Sequence, residues 1–225
     1  MASGAEMPVV AASRKERERT ARRRAILAAA ERVLVRGGYH EATVEQIAQE
    51  AEFSVGTLYN FFKGKDDLYA QVVEKIAREF LADFDSKVLG LEDPEEALGA
   101  LIELRLTHLE EHRGFFRAFL ERSPVGRFDP ARALPRQCVG LYDQYVDAVC
   151  RLFARGVEAG RFDGLDPLYL TLFLEGVINA FGVYWSRREP DEPLARRIEK
   201  VKRDFIGRLK VRLPDEGEAA SETAG

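Results

Sequence analysis

Between Thr43 and Lys65 the chain holds two short helical patterns, each with its own N-terminal cap, separated by a break of only a few residues. Thr43 caps the first, and Gln46 three residues on completes a capping box. Val44, Ile47, Ala48 and Ala51 follow at i, i+3, i+4 and i+7 as one apolar stripe. Ser54 caps the second, with Phe53 and Leu58 at the two positions of a hydrophobic staple. The pattern is a helix-turn-helix.

The second helix gives the unit its chemistry. At about 100° per residue, Leu58 and Phe62 point one way, into a small core. Gly56, Thr57, Tyr59, Asn60 and Lys63 spread over the opposite arc, with no acidic group among them. Small and hydrogen-bonding side chains facing outward, with lysines at the end, suit a major groove. Gly56 lets the backbone come close to a duplex, Thr57 and Asn60 meet base edges, and the Tyr59 hydroxyl, Lys63 and Lys65 meet phosphates. Thr43, Ser54 and Val55 complete the expected DNA-facing set. Taken alone, the pattern also fits a helical hairpin with a solvated face.

These residues carry a family resemblance. The segment from about Arg22 to Val73 resembles the DNA-binding domain of the tetracycline-repressor (TetR) family of bacterial transcriptional regulators. The matching residues are Ala25-Ile26-Leu27 with three alanines, Gly37-Gly38-Tyr39, Thr43-Val44 with Ile47-Ala48, Ser54 to Tyr59, Phe62-Lys63, and Lys65 to Leu68. The resemblance implies operator-contacting roles for Thr43, Thr57, Tyr59, Asn60, Lys63 and Lys65. It is confined to the first third of the chain; beyond that only length and helical plan are similar. Two positions depart from the family pattern. Glu52 stands in the turn where glycine is frequent, and Val55 stands where a basic or polar residue is common, which leaves one phosphate contact open.

The charge distribution bears on the same reading. A net charge of −4 over 225 residues argues by itself against a nucleic-acid binder. Residues 14–65, however, carry 11 Lys/Arg against 7 Asp/Glu, so the basic charge is concentrated beside the reading helix and the remainder is acidic. Ser13 to Arg24 alone holds seven basic and two acidic residues. This reads as an arm reaching the DNA backbone or minor groove, or as a solvated, frayed helix start.

With 46% hydrophobic residues the chain can bury a sizeable core. The pattern predicts helices at about Thr20–Arg36, stopped by Gly37-Gly38, and from Asp66-Asp67 to about Val88 with a Leu68, Val72, Ile76, Phe80 stripe. Asp93-Pro94 opens a helix to about His112, and Gly114–Arg122 is a short aromatic one. Ser123–Pro135 reads as a loop. Helices follow at about Arg136–Ala159, Asp166–Arg187 and Asp191–Arg212. No strand-like alternation of useful length occurs, so the expected fold is all-α. The expected organisation is a flexible basic arm at 1–19, a DNA-binding domain at 20–80, a ligand-binding and dimerisation domain at 81–212 and a disordered tail at 213–225.

The chemistry of the second domain is sparse. No nucleophile, phosphate-loop or dinucleotide motif is present, so no enzymatic activity, cofactor or catalytic residue is expected. His108 and His112 lie one turn apart and could in principle hold a metal, but without a nearby carboxylate in the required pattern they read as an ordinary helix-surface or pocket pair, and no metal site is expected. Cys138 and Cys150 fall on one helix about 18 Å apart at 1.5 Å per residue, too far to bridge. They read as core residues in a reducing cytoplasm, with redox sensing the less favoured use. No signal peptide is recognised, and Leu168–Trp185 is interrupted by Thr171, Glu175 and Asn179, which favours a buried helix over a membrane span.

By the resemblance, the second domain encloses an inducer pocket, which makes Arg105, His108, Phe119, Tyr142 and Tyr145 ligand-binding candidates. Aromatic density in the same region points to an apolar or aromatic small molecule, although such residues are more often plain core. Arg105 is as readily a salt-bridge partner of Glu111 or of another helix. Gly176, Ala180 and Val183 on one helix, with Leu194, Ile198, Val201 and Phe205 on the next, read as the stripes of a homodimer interface. A dimer would set two recognition helices about 34–36 Å apart on a palindromic double-stranded operator. The expected function is that of a cytoplasmic DNA-binding transcriptional regulator, a repressor released by a small-molecule ligand. The alternative is an all-helical protein-interaction module without operator binding.

Overall fold

A computed structural model describes residues 13–123, 130–188 and 190–209. The first twelve residues of the expected arm, the expected tail at 213–225 and the end of the last helix at Arg212 lie outside the described residues. All regular elements among the described residues are helical: α1 (Arg14–Glu41), α2 (Val44–Glu50), α3 (Val55–Tyr59), α4 (Lys65–Phe84), α5 (Pro94–Glu111), α6 (Arg113–Arg122), α7 (Pro130–Ala133), α8 (Arg136–Glu158), α9 (Pro167–Arg187) and α10 (Leu194–Leu209). A π-helical turn, Asp85–Leu89, follows α4 directly. The chain divides into two compact units between Val72 and Val73, and α4 contributes residues to both.

In the first unit, Ile26, Ala29, Ala30, Leu34, Ile47, Ala48, Leu58, Phe62 and Leu68 are buried. Helix α1 starts six residues before the expected Thr20. Ser13 caps it, and Glu16 returns the capping box by accepting from the Ser13 amide at 2.7 Å. The apolar stripe does not begin until Ile26, so the helix start is set by this local cap. Helical dihedrals break at Gly38 (φ 75°, ψ 175°), close to where the glycine pair predicts a stop, and one more turn carries the chain to Glu41. That turn aims Tyr39 at the start of α4, where its hydroxyl donates to Asp66 and its ring meets Tyr69 edge-on at 5.1 Å.

The exit from α2 is a Schellman motif. The Glu52 amide donates to the Gln49 carbonyl at 3.1 Å and the Phe53 amide to that of Ala48 at 3.0 Å. Glu52 therefore sits at φ 59°, the left-handed region that favours glycine. Helix α8 ends in the same motif, with Gly160 at φ 65° in the equivalent place.

The second unit is a bundle in which α5 packs on α8 and α10, and α9 packs on α6 and α8. Phe84, Val88, Leu98, Leu101, Phe153 and Leu174 lie in its core. The single turn α7 falls inside the expected loop. Ile198, Val201 and Phe205 are buried, and Ile206 beside them reaches Gly99 of α5. The α10 stripe expected at a dimer interface is thus largely used within the chain. An amphipathic helix buries its apolar face against the nearest apolar surface, and α5 supplies one.

Candidate nucleic-acid interface and the buried polar cluster

Helix α3 is a short helix held by its cap. The Ser54 hydroxyl accepts from the Thr57 amide at 3.1 Å and exchanges a hydrogen bond with the Thr57 hydroxyl at 2.9 Å. The Phe62 amide donates to the Leu58 carbonyl at 2.9 Å, so hydrogen-bonded turns continue three residues past Tyr59. Leu58 and Phe62 are buried, while Gly56, Tyr59, Asn60 and Lys63 are exposed and Val55 and Thr57 half-buried. Tyr59 is 56% exposed, which for a large aromatic side chain leaves its ring and hydroxyl on the outer surface.

The remaining expected residues are placed less freely. Thr43 is the α2 cap, with its side chain accepting from Gln46. The Lys65 ammonium donates to the His40 carbonyl at 3.1 Å and lies 4.7 Å over the Tyr39 ring, which ties the start of α4 to the end of α1. Arg14 to Arg24 is an exposed basic run on a helix rather than on a loose arm. Two of its members anchor the segment after α3: Arg19 lies 5.9 Å over Phe61 and Arg23 5.6 Å over Phe62. Glu50 at the end of α2 is engaged by Arg32 and Arg36, whose hydrogen bonds hold it below the usual carboxylate range.

In the second unit, four of the five expected ligand residues come together. Arg105 on α5 donates from Nη2 to Oε2 of Glu175 on α9 at 3.0 Å. Tyr145 on α8 donates to the other oxygen of the same carboxylate at 2.6 Å. The Phe80 ring of α4 receives Arg105 at 5.4 Å, His108 at 5.2 Å and the edge of Tyr145 at 5.3 Å. Tyr142 adjoins Tyr145 at 6.4 Å. Phe119 stands apart on α6, stacked on Phe116, whose ring lies against Gly182 of α9.

Electrostatics follow from this packing. Burial raises the Tyr145 hydroxyl well above its ordinary range, and the Glu175 charge adds to the effect. Burial, helped by His112 and Arg105, lowers His108 to about 3, so its imidazole is neutral at physiological pH. Glu175 and Phe80 were not singled out in the sequence as ligand residues. The available signal was Glu175 itself, a carboxylate inside the most apolar helix, which must find a cation or donors if it is buried. Its exposure of 4% and its two partners also explain why α9, long and apolar enough to span a bilayer by composition, packs here among α5, α6 and α8. Cys138 and Cys150 are free thiols on α8, and burial pushes Cys138 up to about 11, the opposite of a reactive thiolate.

Leu168, Tyr169, Leu172, Phe173 and Tyr184 of α9 are about half or more exposed, and Gly176 and Ala180 lie exposed between them. A groove of about 690 Å³ beside this face is lined by Phe173, Val177, Phe181, Tyr184 and Trp185 of α9 and, on the α10 side, by Val201 and Phe205 among charged residues such as Arg197, Lys200, Asp204 and Arg208.

Comparisons with known proteins agree on this architecture. Residues 26–72 match the sequence profile of the bacterial regulatory proteins, tetR family. The HTH-type transcriptional regulator RutR of Escherichia coli K12 is 28% identical over 84% of this chain and 82% of its own length. A putative transcriptional regulator from Saccharomonospora viridis in complex with choline superposes with a TM-score of 0.73 at 22% identity, covering 86% of this chain and all of that one. The regulator FadR from Bacillus subtilis in complex with stearoyl-CoA gives 0.68 at 20% identity, covering 83% and 98%. The two structures establish a likeness of fold.

Proposed function

Because the chain belongs to the tetR family of bacterial regulatory proteins, we propose that it is a cytoplasmic, sequence-specific DNA-binding regulator of transcription, a repressor that a small-molecule ligand releases from its operator. The observation that carries this is the outward arc of α3: Gly56, Tyr59, Asn60 and Lys63 exposed above a buried Leu58 and Phe62, with no acidic side chain on that face. Asn60 reads base edges, Tyr59 and Lys63 hold phosphates, and the basic turns of α1 add sequence-independent attraction.

The chain acts as a homodimer in this proposal. The exposed apolar face of α9 from Leu168 to Tyr184 is the contact surface, extended by the parts of α10 that border the groove. The inducer has an apolar or aromatic body and binds among α4, α5, α8 and α9, with Arg105, Tyr145 and Glu175 at its polar end. Stearoyl-CoA and choline occupy two proteins of similar fold, which supports a small-molecule site in the second unit. Ligand binding acts through α4, which supplies residues to both units, by favouring a state unable to hold operator register.

Selection of bound duplexes from a random pool tests the first claim, with a palindromic consensus as the expected result. Affinity for that duplex should fall steeply between low and moderate salt. Recovery of no consensus, with salt-insensitive retention of a protein partner instead, would favour the interaction-module reading. Unchanged operator affinity across a broad panel of apolar and aromatic compounds would count against induction.

A further inference from the structure

Helix α5 ends in His108-Leu109-Glu110-Glu111 with His112 as its C-cap, which places two imidazoles and a carboxylate at i, i+3 and i+4, neighbours across its last turn. One donor atom from each of His108, Glu111 and His112 lies within 4.8 Å of the others. The two rings are 4.4 Å apart between centroids. A divalent ion held at about 2.0–2.1 Å from each donor needs those donors roughly 3–3.5 Å apart. Binding an ion therefore draws the three donors together. We propose that His108, Glu111 and His112 form a binding site for one zinc-class divalent ion. Glu111, next to His112 in the chain, supplies the carboxylate that a pair of histidines needs.

The charge of the ion is met by the Glu111 carboxylate within the cluster, and the Arg105 guanidinium one turn earlier on α5 is matched by Glu175 at 3.0 Å. Two imidazoles and one carboxylate select zinc, nickel or copper over magnesium and calcium, which prefer all-oxygen shells. Three protein donors leave at least one coordination position for water or for an anionic group of a bound molecule. The site stands on these three side chains alone and does not depend on the chain binding DNA.

Isothermal titration of zinc chloride into the metal-stripped full chain, free of any affinity tag, tests the site. The expected result is one ion per chain at micromolar affinity or tighter, weakened at least tenfold by either His108→Ala or His112→Ala and less by Glu111→Gln. X-ray absorption on the zinc-loaded wild-type chain gives a readout that needs no variant, and it should show two imidazoles and no sulfur around the metal. Failure to bind micromolar zinc overturns the proposal. So does a sulfur-containing shell, which would put the ion on Cys138 or Cys150, or an affinity unchanged in both histidine variants.

Discussion

Arg105 and Glu175 form an ion pair between α5 and α9, with 3.0 Å between Nη2 and Oε2, and the Glu175 side chain is only 5% exposed. A pair this withdrawn from water contributes little net stability against an apolar substitute, yet breaking it strands a charge. Glu175→Leu alone should therefore cost about 3 kcal/mol in urea denaturation, because Arg105 loses its counter-charge and Tyr145 its acceptor. Adding Arg105→Met should recover most of that loss. If the double variant is as unstable as the single ones combined, the pair is not coupled as described.

The turn of the helix-turn-helix carries a strained residue. Glu52 holds φ 59° because the Schellman bonds of α2 demand it. A non-glycine residue there costs about 1–2 kcal/mol, while glycine loses roughly 0.5–1 kcal/mol through its freer unfolded chain. The balance predicts that Glu52→Gly stabilises the protein by about 0.5 kcal/mol. It should also strengthen duplex binding slightly by removing a negative charge. A drop in the thermal midpoint would refute the strain argument.

The elements that were legible in the sequence share one property: their cause is local. Thr43 with Gln46, Ser54, and Asp93 with Pro94 each fix a helix start through atoms a few residues apart, and all three appear at those places. The Leu58–Phe62 core of the reading helix follows from a single turn of periodicity. What was hidden depends on distant partners. Nothing near Glu175 in the chain announces Arg105, which lies 70 residues away, or Tyr145, 30 residues away. The α10 stripe shows the same limit, since periodicity identifies an apolar face but not whether α5 or a second subunit covers it. Ser13 was missed for a different reason: its cap precedes any apolar residue, and the charge run around it concealed a helix start.

Gly156 tests the packing of the second unit. A Cβ added there would collide with Cδ2 and Cε2 of the Phe162 ring, which is itself 1% exposed and packed on Phe153 at 6.0 Å. The ring has no solvent to move into. Gly156→Ala should therefore destabilise the protein by about 1–3 kcal/mol, despite the better helix propensity of alanine. Pairing it with Phe162→Leu should return part of the loss, and a neutral Gly156→Ala would show that the α8 end is loosely packed.

The outward arc of α3 separates positioning from reading, and three variants resolve the two roles. Tyr59 and Lys63 are exposed and stand at the end of the helix where phosphates are expected, so Tyr59→Phe and Lys63→Ala should weaken binding to all duplexes alike. Lys63→Ala should also reduce the slope of log affinity against log salt by about one phosphate contact, near 0.9. Lys65→Ala is the poorer probe, because its ammonium also holds the His40 carbonyl and its loss loosens the start of α4. Asn60 differs in kind: an exposed amide offers the donor–acceptor pair that matches adenine in the major groove. Asn60→Ala should cost about 1–3 kcal/mol on the preferred duplex and little on unrelated ones, so the preference at one base position relaxes while the salt slope stays the same. Binding of selected and random duplexes by each variant, measured at two salt concentrations, decides the matter. A uniform loss for Asn60→Ala across sequences would remove it from the base-reading set and leave α3 as a backbone clamp alone.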